Sequence, residues 1–334
     1  MHLNKGVLHK MTLQFVFLIL GIALLVKGAD WLVDGASGLA TSFGVSPLFI
    51  GLTVVAFGTS APELAVSISA SMKGSGSIAI SNVVGSNIAN IALVIGFSAI
   101  LSPLAISKTT IRKELPFNIL ISFALMAMLL RGAKYGLDRY DGFVLIIFLI
   151  IFMEYTLMMA KSDRERKKLD QQSILSQEED DEIKKMRIKN GILTLIGLVM
   201  VVFGADLTVD SATEIALQLG ISEALVGLTM IAIGTSLPEL VTSVTAILKK
   251  QDDLAIGNIV GSNIFNICLI LGVSSILKPI GVIVDHYWGD ILFMSMLAVF
   301  LLLTTMKKSK ITRLEGSLFF VSYVAYITII AFRG

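Results

Sequence analysis

The sequence predicts an all-α polytopic membrane protein of ten transmembrane helices in two inverted five-helix repeats. Three observations carry this reading: a scarcity of charge, a series of apolar segments long enough to span a bilayer, and a long internal repeat. The chain has 334 residues, of which 55% are hydrophobic and only 16% charged, against about 25% charged in a soluble domain. Its mean hydropathy is +0.83. Seventeen of the charges fall between Lys161 and Asn190, so the other 304 residues share 35. A soluble chain of this size cannot cover its surface with so few. That excludes a soluble enzyme, a nucleic-acid binder and a disordered chain. The net charge of +2 points to no partner, and the single cysteine, Cys268, excludes a disulfide framework or a cysteine metal site.

A span needs about 20 apolar residues. Ten candidates lie near 12–28, 47–71, 78–101, 115–131, 141–160, 191–206, 222–248, 254–277, 287–306 and 314–332. The first runs into Lys27-Gly-Ala-Asp30 without a small-residue cleavage pattern, so it reads as a span and not a cleaved signal. The first and sixth are short in strict hydropathy but continue as amphipathic stretches to about Thr41 and Leu217, which predicts long tilted helices. Residues 1–160 then form the first repeat, 161–190 a charged linker and 191–334 the second repeat. The acidic run Glu178–Glu182 lacks the glycine turn and alternating ligands of a calcium loop and reads as solvated linker. With that linker in the cytoplasm, 19 of the 27 lysines and arginines lie on the cytoplasmic side, and both termini lie outside.

The repeat is the strongest signal. Gly51-Leu-Thr-Val-Val-Ala-Phe-Gly-Thr-Ser-Ala-Pro-Glu-Leu64 recurs as Gly227-Leu-Thr-Met-Ile-Ala-Ile-Gly-Thr-Ser-Leu-Pro-Glu-Leu240, an offset of 176. The same offset maps Asn82–Asn90 onto Asn258–Asn266, and Asp30 and Asp34 onto Asp206 and Asp210. Five spans per unit is an odd number, so the second copy enters the membrane from the opposite side. Inverted repeats are a transporter architecture, with the substrate site expected at their interface near mid-membrane.

The repeated residues suit such a site. Glu63 and Glu239 fall inside the second and seventh spans, where an uncompensated carboxylate costs several kcal/mol. No lysine or arginine lies in a span core to pair with them. Pro62 and Pro238, with Gly58 and Gly234, predict a break in each helix. The break is expected to free carbonyls near Ala56 to Gly58, and by the same argument near Ala232. Thr59 and Ser60 stand one turn before Glu63, as Thr235 and Ser236 stand before Glu239. Asn90 and Asn266 fall near mid-membrane, with Ser86 and Ser262 one turn earlier. Carboxylate, hydroxyl, amide and carbonyl oxygens suit hard cations. Asn82, Asn87, Asn258 and Asn263 lie on other faces and read as helix–helix hydrogen bonds. The stretches Ser81–Gly85 and Gly257–Gly261 read as close-packing faces. Asp30, Asp34, Asp206 and Asp210 fall near predicted helix ends, as caps or as the lining of an ion entrance.

The motifs Gly-Thr-Ser-x-Pro-Glu and Gly-Ser-Asn-Ile-x-Asn, each present twice, resemble the alpha-repeats of the cation/calcium exchanger superfamily, sodium/calcium exchanger type. The resemblance covers both repeats and the ten-span layout of prokaryotic members. It implies antiport of Na⁺ against Ca²⁺ by alternating access in a prokaryotic cell (inner) membrane, with no cofactor and no nucleic acid. It implies ligands at Ala56, Thr59, Ser60, Glu63, Ser86, Asn90, Ala232, Thr235, Ser236, Glu239, Ser262 and Asn266, and a first and sixth helix that slide across the other eight. Some relatives carry aspartate where this chain has Asn266. The proton-coupled branch typically has Gly-Asn-x-x-Glu in place of Gly-Thr-Ser-x-Pro-Glu; a proton/cation exchanger using the same carboxylates is the alternative. An intramembrane hydrolase lacks a base, since His2, His9 and His286 all lie in termini or at a helix start.

Overall fold

The structure, a computed structural model, describes residues 5–131, 136–170, 177–221, 234–281 and 287–333. Its helices are α1 (Lys5–Phe43), α2 (Pro47–Thr59), α3 (Ala61–Met72), α4 (Gly76–Leu101), α5 (Thr110–Arg131), α6 (Arg139–Asp170), α7 (Gln177–Gln218), α8 (Leu237–Leu248), α9 (Asp252–Leu277), α10 (Trp288–Lys308) and α11 (Arg313–Arg333). Among the described residues, eight are long and apolar enough to cross a membrane, and α2 with α3 makes a ninth span bent by 46°. Helix α8 is apolar but short. The first half of the expected span 222–248 covers residues 222–233, which lie outside the described residues.

The 176-residue offset reappears in the elements to the residue. It carries α3 onto α8 and α4 onto α9, and it carries the π-helical turn Ala89–Ile95 within α4 onto Phe265–Leu271 within α9. Helices α4 and α9 are the most deeply buried spans. Two short pairings tie the periphery: β1 (Leu104–Ala105) pairs antiparallel with β2 (Lys310–Ile311), and Leu137 bridges Ile280.

Helices α1 and α7 are far longer than strict hydropathy suggests, at 39 and 42 residues. They pack along each other in antiparallel fashion. A Cβ on Gly21 would stand 2.6 Å from Thr208 Oγ1, one on Gly28 2.8 Å from the Val201 nitrogen, and one on Gly35 2.6 Å from the Thr194 nitrogen. From the other side, a Cβ on Gly204 would stand 2.5 Å from the Leu25 nitrogen. In lipid, small residues of this kind let backbones approach and gain dispersion contact. Gly257 and Gly261 play the same part between α9 and α2: their added Cβ atoms would meet Leu48 O at 2.7 Å and Ala56 Cβ at 2.7 Å.

One expectation is corrected. Asp30, Asp34, Asp206 and Asp210 are not helix-end residues but lie well inside α1 and α7. The charged stretch 161–190 is also helical on both flanks, since α6 runs to Asp170 and α7 starts at Gln177. In the charged stretch, lysine, arginine and glutamate are good helix formers, so charge ends the hydropathy signal without ending the helix. Lys184 and Asp181 add a 3.2 Å pair one turn apart.

Candidate cation site

Glu63 sits in the first turn of α3 and Glu239 in the first turn of α8. Each is 1% exposed. The cause is local. Pro62 cannot donate to the Gly58 carbonyl, so the chain turns at Ser60 and restarts as α3. Ser60 and Ser236 share nearly one conformation, φ −85°, ψ 6° and φ −88°, ψ 2°. A helix N-terminus carries a partial positive charge, which offsets part of the cost of a buried carboxylate. Among the described residues no lysine or arginine forms an ion pair with either glutamate. The two carboxylates lie within electrostatic reach of each other.

Hydroxyls from both repeats surround them. Ser60 donates to Glu239 Oε1 at 3.2 Å, and Ser262 reaches the same oxygen at 3.4 Å. Thr59 donates to Asn258 Oδ1 at 3.1 Å and lies 3.5 Å from the Ser262 hydroxyl. On the other side Ser86 and Thr235 are 3.4 Å apart. Ser86 lies beside Glu63 without meeting hydrogen-bond geometry. Both oxygens of Glu63, Oε2 of Glu239 and Oγ of Ser236 are buried without a hydrogen-bond partner among the described residues.

The asparagines form a relay that the sequence did not reveal. Asn90 Nδ2 donates to Asn263 Oδ1 at 3.0 Å, and Asn266 Nδ2 donates to Asn87 Oδ1 at 2.9 Å. These are one contact seen twice, exchanged by the 176-residue offset. Asn87 Nδ2 donates to the Asn263 backbone carbonyl at 3.2 Å. Asn90 Oδ1 and Asn266 Oδ1 remain buried and unpartnered. Asn87 and Asn263 therefore do cross between helices, as expected, but their partners are the two asparagines in the predicted ligand positions. The other pair braces α3 and α8: Asn82 donates to the Glu63 carbonyl at 3.1 Å and Ser67 at 2.9 Å, and Asn258 donates to Ser243 at 3.1 Å. Asn90 and Asn266 both lie in the π-helical turns, a distortion common at functional sites.

The carbonyl expectation needs correction. Ala56 O is not freed: it accepts the Ser60 N–H at 3.1 Å, and the Thr59 and Ser262 hydroxyls lie 3.4 and 3.5 Å away. Pro62 removes the donor four residues after Gly58, not the one four residues after Ala56. Gly58 is likewise not the break point. It lies inside α2, where an added Cβ would stand 2.5 Å from Leu198 of α7. At Gly234 the added atom would meet Val209 at 3.0 Å. Both glycines make room for α7. Ala232 lies outside the described residues. No cluster of three or more His, Cys, Asp or Glu side chains occurs among the described residues. The site is thus two carboxylates among hydroxyl and amide oxygens, a donor set for hard cations.

The sequence matches the sodium/calcium exchanger protein family over residues 13–158 and 189–332. The chain belongs to that family. Among this exchanger's relatives, the sodium/calcium exchanger MaX1 of Methanosarcina acetivorans is 32% identical, covering 96% of this chain and 99% of the relative. The inner membrane protein YrbG of Escherichia coli K12 is 37% identical over 80% of this chain and 81% of its own length. The solved structure of the sodium-calcium exchanger NCX_Mj superimposes with a TM-score of 0.80 at 34% identity, over 95% of this chain and 99% of that one. The family member described here is a helical integral membrane transporter and not an enzyme.

Proposed function

We propose that this exchanger moves Na⁺ against Ca²⁺ by alternating access, at a site centred on Glu63 and Glu239. The observation that carries the reading is the set of buried oxygens left without partners: both of Glu63, one of Glu239, and the amide oxygens of Asn90 and Asn266. Two carboxylates match the charge of one Ca²⁺ or two Na⁺. A cation supplies the compensation that burial demands, and the emptied site, carrying two negative charges, resists reorientation. That coupling makes exchange, rather than leak, the favoured cycle.

Thr59, Ser60, Ser86, Thr235, Ser236 and Ser262 complete the proposed ligand set with the second lone pair of the Ala56 carbonyl and with the Ala232 carbonyl, and Asn87 and Asn263 aim the two amides. We place the chain in ten spans. Residues 1–160 and 191–334 form the two repeats and 161–190 the cytoplasmic linker, with both termini outside. The antiparallel course of α1 and α7, related by the 176-residue offset, supports inversion of the repeats.

The test is Ca²⁺ uptake into proteoliposomes with Na⁺, H⁺ and K⁺ gradients imposed one at a time. Uptake that requires an opposing Na⁺ gradient supports the reading. Uptake driven equally by a proton gradient alone establishes proton/cation exchange instead, and uptake without any gradient establishes a channel.

A further inference from the structure

Lys249 ends α8 and reaches across to α1. Its Nζ contacts Asp34 Oδ1 at 2.7 Å, the carboxylate of Asp30, and the Asp30 backbone carbonyl at 3.1 Å. Lys27 pairs with Asp30 at 2.6 Å from within α1. The contact fastens α1 to α8, and the two helices pack along each other.

The 176-residue offset maps every member of this cluster except Lys27. Asp30 becomes Asp206, Asp34 becomes Asp210, and Lys249 becomes Lys73, which ends α3 as Lys249 ends α8. Yet the second cluster is not assembled. Lys73, Asp206 and Asp210 are exposed and form no ion pair among the described residues. Helix α7 does not pack along α3 in the way that α1 packs along α8. Among the described residues, the charges that act on Asp206 are like charges: it feels Asp210, and its own field reaches Glu63. Two copies of one element thus occupy different states in one molecule, with identical chemistry and different geometry.

We propose that Lys249 with Asp30 and Asp34, and Lys73 with Asp206 and Asp210, are two alternating locks on the moving faces of this exchanger. Here the first lock is closed and the second open. In the opposite-facing state Lys73 closes on α7 and Lys249 releases α1. The uncovered aspartate pair then always lies on the open side, where its negative field draws cations toward the glutamates. When the lock shuts, its lysine offsets half of that pair's charge. The inference rests on the inverted-repeat reading, and no residue in it belongs to the proposed ligand set.

The experiment compares Lys249→Gln, Lys73→Gln and the double variant in vesicles of uniform orientation, with the apparent KM for Ca²⁺ measured from each face. Removing a lock destabilises the state it holds, by about fivefold in the equilibrium. Lys249→Gln is expected to raise KM on the face near Lys73 and lower it on the other. Lys73→Gln is expected to do the reverse, and the double variant to return toward wild type. A merely structural role moves both faces together, and that result overturns the proposal.

Cysteine pairs give a second measurement. Lys249→Cys/Asp34→Cys and Lys73→Cys/Asp210→Cys are each treated with a short bis-methanethiosulfonate, which joins the two thiols through disulfides. Both pairs are expected to crosslink in the working protein and to stop flux until reduced. Failure of the second pair to crosslink during turnover overturns the proposal. If the wild type shows no Na⁺-driven uptake at all, the exchange reading fails instead, and the crosslinks still report on the locks.

Discussion

Asn266 donates its side-chain amide to Oδ1 of Asn87 at 2.9 Å. The polarity of this bond follows from the backbone. Asn87 commits its own Nδ2 to the Asn263 carbonyl, so only its oxygen faces Asn266. Asn266 must then present Nδ2 to Asn87, which leaves its Oδ1 free to meet a cation. Asn87→Ala is expected to weaken Ca²⁺ binding about tenfold, the usual scale for removing a group that orients a metal ligand. Added to Asn266→Ala, it is expected to have little further effect. Binding titrations on the four proteins of this cycle check the point, and additive losses would assign Asn87 a general structural role.

The asymmetry between the two serines gives a second prediction. Ser60 donates to Glu239, whereas Ser236 Oγ has no partner among the described residues. In cation-free protein, Ser60→Ala is expected to cost about 1.5–3 kcal/mol, as for a hydrogen bond to a charged group. Ser236→Ala is expected to be nearly neutral. Thermal unfolding in detergent without Na⁺ or Ca²⁺ measures both, and equal losses would contradict the arrangement.

The glycine-lined contact between α1 and α7 is tested by two alanines on one helix. A Cβ on Gly204 would lie 2.5 Å from the Leu25 nitrogen and 2.9 Å from Gly21 O, while one on Gly191 meets nothing within 4 Å. Gly204→Ala is expected to destabilise by about 1–3 kcal/mol through overpacking. Gly191→Ala is expected to stabilise by about 0.4–1 kcal/mol. The same melting assay reads both. A Gly204→Ala protein as stable as wild type would mean that the helices do not approach so closely.

The repeat and the principal side chains around the glutamates were legible because 176-residue self-similarity singles out the residues that both halves keep. Other features were hidden for physical reasons. The π-helical turns at Ala89–Ile95 and Phe265–Leu271 carry no local signal in apolar sequence. The role of Asn87 was missed because helical periodicity assigns it to another face but does not say which helix packs there. The starts of α1 and α7, at Lys5 and Gln177 and not near 12 and 191, were missed because hydropathy falls where charged residues carry a helix beyond its apolar stretch. The Ala56 carbonyl was grouped with that of Gly58, but the proline removes the donor to Gly58 alone, and Ala56 keeps its bond from Ser60.

The central claim is that two buried carboxylates hold the transported cation. Its most direct test is Na⁺-gradient-driven Ca²⁺ uptake into proteoliposomes bearing Glu63→Gln or Glu239→Gln, with correct folding verified by chromatography. Each variant removes one of only two negative charges from a buried ion site. Uptake is expected to fall by about a hundredfold or more in each, the scale of removing one partner from a buried ion pair. Undiminished uptake in either variant would contradict the claim.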